Sequence, residues 1–168
     1  MNVIKQLFDI SILFDAAKDI NEIADAYKSS HELNCRIRSQ EYDLFETLND
    51  TIDASLLLSS QGFSKSIDLN QKILGEGCDR LNQFLIAEPF SVQLSKKHAA
   101  KVALIAAIIK KERFDLELDL LKYTKGKNES LKNASLTFIY KNIEKLKAID
   151  PEAFYYWYLV SQIEDGNL

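Results

Sequence analysis

Glycine and proline punctuate this chain so rarely that it has little choice but to build long helices. Only 5 Gly and 2 Pro occur in 168 residues. Tight hairpins need Asn-Gly or Asp-Gly pairs, and the one instance, Asp165-Gly166, stands near the C-terminus. Between the rare breakers, apolar residues recur at spacings of three, four and seven, the period of an amphipathic helix. The expected fold is all-α, an up-and-down bundle of five to seven helices in one domain spanning residues 1–168.

The pattern sets provisional boundaries. Val3 to Tyr27 reads as one long helix, with Ile10, Leu13, Ala17, Ile20, Ala24 and Tyr27 on one face. Ser29-Ser30-His31 interrupts it. A second helix is predicted from Asn34 to Ser60, burying Ile37, Leu44, Phe45, Leu48, Ile52 and Leu56. A third follows a Ser64 or Ser66 cap, carries Ile67, Ile73, Leu74, Cys78, Leu81 and Leu85, and stops before Pro89. Ser91 or Ser95 opens a fourth through Lys111, with Val102, Ile105, Ala106 and Ile109 as its buried seam. That helix either breaks near Glu112 or runs on to Tyr123. Thr124 to Asn128 reads as a loop, and Ser130 to Lys147 as a further helix. Asp150-Pro151 is a helix-start signature for a final helix to Ile163. Gly75-Glu76-Gly77 lies inside the third helix and implies a close helix crossing or a kink.

Chemistry-bearing motifs are missing. Neither His31 nor His98 belongs to a Glu-x-x-His or His-Glu-x-x-His pattern, so no metal is expected. There is no Gly-x-Ser-x-Gly, no phosphate loop and no dinucleotide fingerprint, so no cofactor is expected either. No Arg is followed within seven residues by a His, which removes the signature of small helical ribonucleases. Cys35, beside Arg36 and Arg38 at an expected helix start, is the one thiol whose surroundings would favour a thiolate. Cys78 sits at an apolar helix position. The sharpest basic stretch is Lys96, Lys97, Lys101, Lys110, Lys111 and Arg113, and Asp115, Glu117 and Asp119 follow it at once. This segment, 96–113, supports the alternative of a nucleic-acid-associated factor, but the net charge of -4 makes nucleic acid an unfavoured partner. An enzyme with a dispersed polar site inside the bundle is a second alternative.

What remains points to a surface rather than a reaction. Residues 1–60 carry 11 acidic and 5 basic side chains, and Asp15, Asp19, Glu22 and Asp25 cluster opposite the apolar face of the first helix. Ile4 and Phe8 point to that acidic side. Phe154 to Tyr158 are five consecutive aromatics, which no single buried helix face can take. The expected function is therefore non-enzymatic binding of another protein, of inhibitor, immunity or adaptor type, including a second copy of the same chain. The expected contact residues are Ile4, Phe8, Asp15, Asp19, Glu22, Tyr155, Tyr156 and Trp157. No leader-type or membrane-spanning segment is evident, and the expected compartment is the cytoplasm.

Overall fold

Asp19 starts a helix where the apolar pattern runs on without a break. In the computed structural model, which describes residues 2–63, 69–83, 90–126 and 130–168, α1 spans Asn2–Ala16 and α2 spans Ile20–Arg38. The Asp19 carboxylate accepts from the Asn21 N–H at 2.9 Å, as an N-cap. Lys122 donates to the Ala17 carbonyl at 3.0 Å, taking an acceptor that a continuous helix would use itself. The single helix expected over Val3 to Tyr27 is therefore two. Ser29-Ser30-His31 does not interrupt α2, because none of the three lacks a donor or clashes with a helical turn. α2 ends instead at Ser39, which takes the left-handed conformation (φ 52°). Its N–H reaches the Arg36 carbonyl and that of Gln40 the Cys35 carbonyl, as in a Schellman motif.

Four helices follow, two of them with a side-chain cap. α3 (Leu44–Ser59) is capped by Asp43, and α4 is Leu69–Asn82. α5 (Val92–Lys110) is capped by Ser91, and the chain turns out of it at Glu112 with φ 53°. α6 is one turn, Leu118–Leu121. The expected cap at Ser64 or Ser66, Ile67, Leu85, the stop at Pro89 and the end of the loop at Asn128 lie outside the described residues.

The helix expected from Ser130 to Lys147 does not form. Residues 134–137 are non-helical, Phe138–Ile143 is a 3-10 helix and α7 is only Leu146–Ile149. Side chains from elsewhere claim this backbone. Ser161 Oγ accepts from the Thr137 N–H at 3.1 Å, and Lys147 donates to the carbonyls of Lys132 and Ala134. α8 (Pro151–Glu164) then begins as its sequence demands, with Asp150 accepting from the Ala153 N–H at 3.0 Å.

The result is an all-α bundle with no strand among the described residues, built round α5. From Ser95 to Ile109 every α5 side chain except Lys97 is buried. Its alanines let α1, α3 and α8 approach closely, while α4 packs on α1 and α3. No helix among the described residues is long and apolar enough to cross a membrane.

Gly75 and Gly77 stand within an unbroken α4, and the closer packing is at Gly77. A Cβ there would lie 2.7 Å from Ile4 Cγ1, whereas one at Gly75 would meet only the end of Gln61, at 3.7 Å. Gly75→Ala should therefore stabilise by up to about 1 kcal/mol through helix propensity. Gly77→Ala should lose stability by about 1–2 kcal/mol, because Ile4 is fully packed and must shift. Urea midpoints of the two variants differing in sign would establish the α1–α4 crossing; equal stabilisation by both would contradict it.

Candidate functional site

The aromatic run is absorbed within the chain. Tyr155, Tyr156 and Trp157 are 6%, 1% and 0% exposed. They point in different directions, and each finds its own wall. Tyr155 lies against Tyr123, with ring centres 5.6 Å apart. Tyr156 meets Phe14 edge-on, and its hydroxyl accepts from the Tyr123 N–H at 3.1 Å. Trp157 stacks near Tyr140 and donates to Ser59 Oγ at 2.9 Å. Burial pushes the Tyr155 hydroxyl up to about 12 and raises that of Tyr156 as well. Ile4 is buried against α4, and Phe8 is half-buried, edge-on to Phe90. The apolar surplus that assigned Ile4, Tyr155, Tyr156 and Trp157 to a contact surface is thus taken up by the core.

The acidic cluster is not one helix face. Asp15 ends up on α1, Asp19 is a cap, and Glu22 and Asp25 lie exposed on α2. Asp15 holds Lys101, whose ammonium lies 2.7 Å from one carboxylate oxygen and 3.5 Å from Glu152. Lys101 is itself 4% exposed.

Most of the other cations of segment 96–113 are similarly engaged, Lys111 being exposed. Lys96 is buried and donates to the Ser59 carbonyl at 3.0 Å and to that of Gln61, with Phe63 below it. It satisfies the last carbonyl of α3 and one just beyond the helix, where a cation also meets the negative end of the helix dipole. Burial lowers its pKa, against a raising influence from Asp150. Lys97 pairs with Glu152, Lys110 with Glu164 and Arg113 with Asp115. A phosphate backbone would have to displace these partners one by one.

His98 occupies the boundary between α1 and α5. One ring nitrogen, Nδ1, lies 2.7 Å from Ser11 Oγ, and the rings of Phe8 and Phe90 flank it at 5.1 and 5.5 Å. Burial, then the charges of Lys101 and Lys97, push its pKa down to about 4. The imidazole is neutral in the folded protein at pH 7. Between pH 6.5 and 4 the unfolded chain binds a proton that the folded one refuses, so stability falls as pH falls through this window. The expected total is about 3 kcal/mol, from roughly 1.4 kcal/mol per pKa unit. Urea titrations at pH 7 and near pH 4 should show this drop, and His98→Gln should remove most of its pH dependence. An unchanged slope in that variant would place the proton elsewhere.

Another feature lies at the far end of α2. An open cleft there is lined by His31, Cys35, Arg36, Gln40 and Tyr42. His31 Nε2 is 3.0 Å from the Tyr42 carbonyl, and Cys35 Sγ is 3.7 Å from the same nitrogen. A carbonyl can only accept, so Nε2 carries the proton and ties the loop to the helix. That proton prevents Nε2 from acting as a base toward Cys35. The thiol also sits in the last turn of α2, not at the helix start expected for it. The carbonyl end of a helix does not favour an anion. Cys78 is buried, and burial raises its pKa. Among the described residues no three His, Cys, Asp or Glu side chains gather as a metal site.

The structure exposes apolar residues that the pattern assigns to the core. From Asp25 to Thr47 no side chain is buried. Leu33 and Ile37, one turn apart on α2, are 51% and 71% exposed, and Tyr42 and Phe45 are about half exposed nearby in the chain. Ile37 and Phe45 were expected inside. The signal available for Leu33 and Ile37 is angular: with Ile20, Ala24 and Tyr27 defining the inner face of α2, both fall on the opposite side. Compared with protein-family models, with characterised proteins and with solved structures, the chain matches none.

Proposed function

We propose that this chain is a non-enzymatic protein of the cytoplasm that binds another protein through the projecting α2–α3 hairpin. The unburied stretch from Asp25 to Thr47 carries this reading. A lone helix half of this length is marginal in water, and nothing in the core is gained by extending it. What it gains is display. Leu33 and Ile37 form an outward apolar strip, with Tyr42 and Phe45 at the same end. Glu32, Glu41, Arg36 and Arg38 are all exposed around it, so the surface has mixed charge rather than a field of one sign. Apolar anchors within a mixed polar rim suit a protein surface, whereas a polyanion requires concentrated positive charge.

The test is Leu33→Ser combined with Ile37→Ser. Both side chains are exposed, so the melting temperature should hold. Capture of a cellular protein, or self-association by sedimentation if the partner is a second copy, should be lost. A double variant that retains the wild-type partner and the wild-type sedimentation would exclude this surface.

A further inference from the structure

The 3-10 helix and α7 turn an unusual face outward. Phe138 is 94% exposed and Ile139 beside it 71%, while Tyr140, Ile143 and Leu146 anchor the same segment in the core. Ile149, at the end of α7, is 52% exposed. A Phe exposed to this degree projects beyond its surroundings. The segment is rigidly placed, because Ser161 holds Thr137 through its N–H and its hydroxyl. Lysines accompany it. Lys141 and Lys145 are exposed on the same segment, and Lys132 is tied next to α7 by the bond from Lys147 to its carbonyl. Glu144 is half-buried and pairs with Lys141 at 3.2 Å. Residues 122–149 hold seven Lys, no Arg and two Glu, a balance of +5, and the rest of a chain of net charge -4 therefore carries -9.

We propose that this face docks the protein on an anionic lipid surface. Phe138 and Ile139 enter the boundary between headgroups and acyl chains, and the lysines remain at the level of the headgroup charges. Three properties favour a membrane over a folded partner. The apolar pair projects on a segment with exposed lysines, the combination that seats an interfacial segment at the headgroup boundary. The cations are all lysines, which suit a diffuse negative surface; paired recognition of a phosphate or carboxylate favours Arg. The charge is also uneven along the chain, so an anionic bilayer attracts this segment more than the acidic residues 1–60. The contact is peripheral, as two apolar side chains and a few lysines give reversible attachment.

The probe is vesicles of phosphatidylcholine with or without phosphatidylserine, incubated with the full chain and sedimented. The protein should bind the phosphatidylserine vesicles at low ionic strength and lose most of that binding in high salt or on pure phosphatidylcholine. Phe138→Ser with Ile139→Ser should lower the bound fraction about tenfold, since two apolar insertions are removed, with an unchanged melting temperature. Lys141→Glu with Lys145→Glu should do the same. Leu33→Ser with Ile37→Ser should bind vesicles as wild type does, which separates this face from the α2 surface. Wild-type protein that ignores phosphatidylserine vesicles at low salt overturns the proposal. So does wild-type binding by the Phe138/Ile139 variant, equal binding to uncharged vesicles, or binding to an acidic polypeptide without binding to the vesicles.

Discussion

Ile105→Asp should leave the protein unfolded or close to it. Ile105 is 2% exposed at the middle of α5, the helix that α1, α3 and α8 all pack against. Its neighbours in that core are Leu104, Ile108, Ala103 and the aromatics of α8, so a new carboxylate would find no partner prepared for it. The group must either stay ionised in an apolar site or take up a proton, and each option costs several kcal/mol. Domains have about 5–15 kcal/mol in total, so this one substitution consumes a large share. A circular-dichroism melt at neutral pH should show a loss or a fall of many degrees in the transition. A wild-type melt would mean that α5 is not the centre of the bundle.

Trp157→Ala should lose about 3–5 kcal/mol, the cost of emptying a large aromatic site. Trp157 is wholly buried, stacks near Tyr140 and donates to Ser59 Oγ. Its removal leaves a cavity and also deprives a buried hydroxyl of its donor. Trp157→Phe keeps much of the volume and should fall between wild type and Ala. The ordering matters as much as the size. If Trp157 were a contact residue on a surface, Ala and Phe would both melt like wild type and only association would change. Denaturant unfolding and sedimentation on the same samples would separate these outcomes.

The parts of the fold that the sequence reveals are those specified by neighbouring residues. Ser91 and Asp150-Pro151 are followed within three residues by the amides they cap, and α5 and α8 begin there. The breaks that stay hidden are imposed from a distance. Lys122 takes the Ala17 carbonyl from 105 residues away, and Ser161 takes the Thr137 N–H from 24 residues away. No local propensity encodes either event. The same reason separates the expected contact residues from the exposed ones. Five aromatics in a row exceed one helix face, but α8 is enclosed on several sides, which a wheel drawn for one helix cannot represent. Conversely, Ile37 and Phe138 are apolar residues of segments read as helices, yet no other element among the described residues covers them.

The central place of α5 has a consequence for synthesis. Lys110 at its end pairs with Glu164, 54 residues further along the chain. A ribosome adding roughly 5–20 residues per second needs about 3–10 s to cover that interval. Throughout that time the nascent chain already contains Ala103, Ile105 and Ile108, while α8, which encloses them, has not been made. α1 and α3 can shield only part of a helix that is buried on nearly every side. The apolar surface that stabilises the finished protein is therefore an aggregation hazard during its translation, and nascent chains paused before Asp150 should be bound by holding chaperones until α8 emerges.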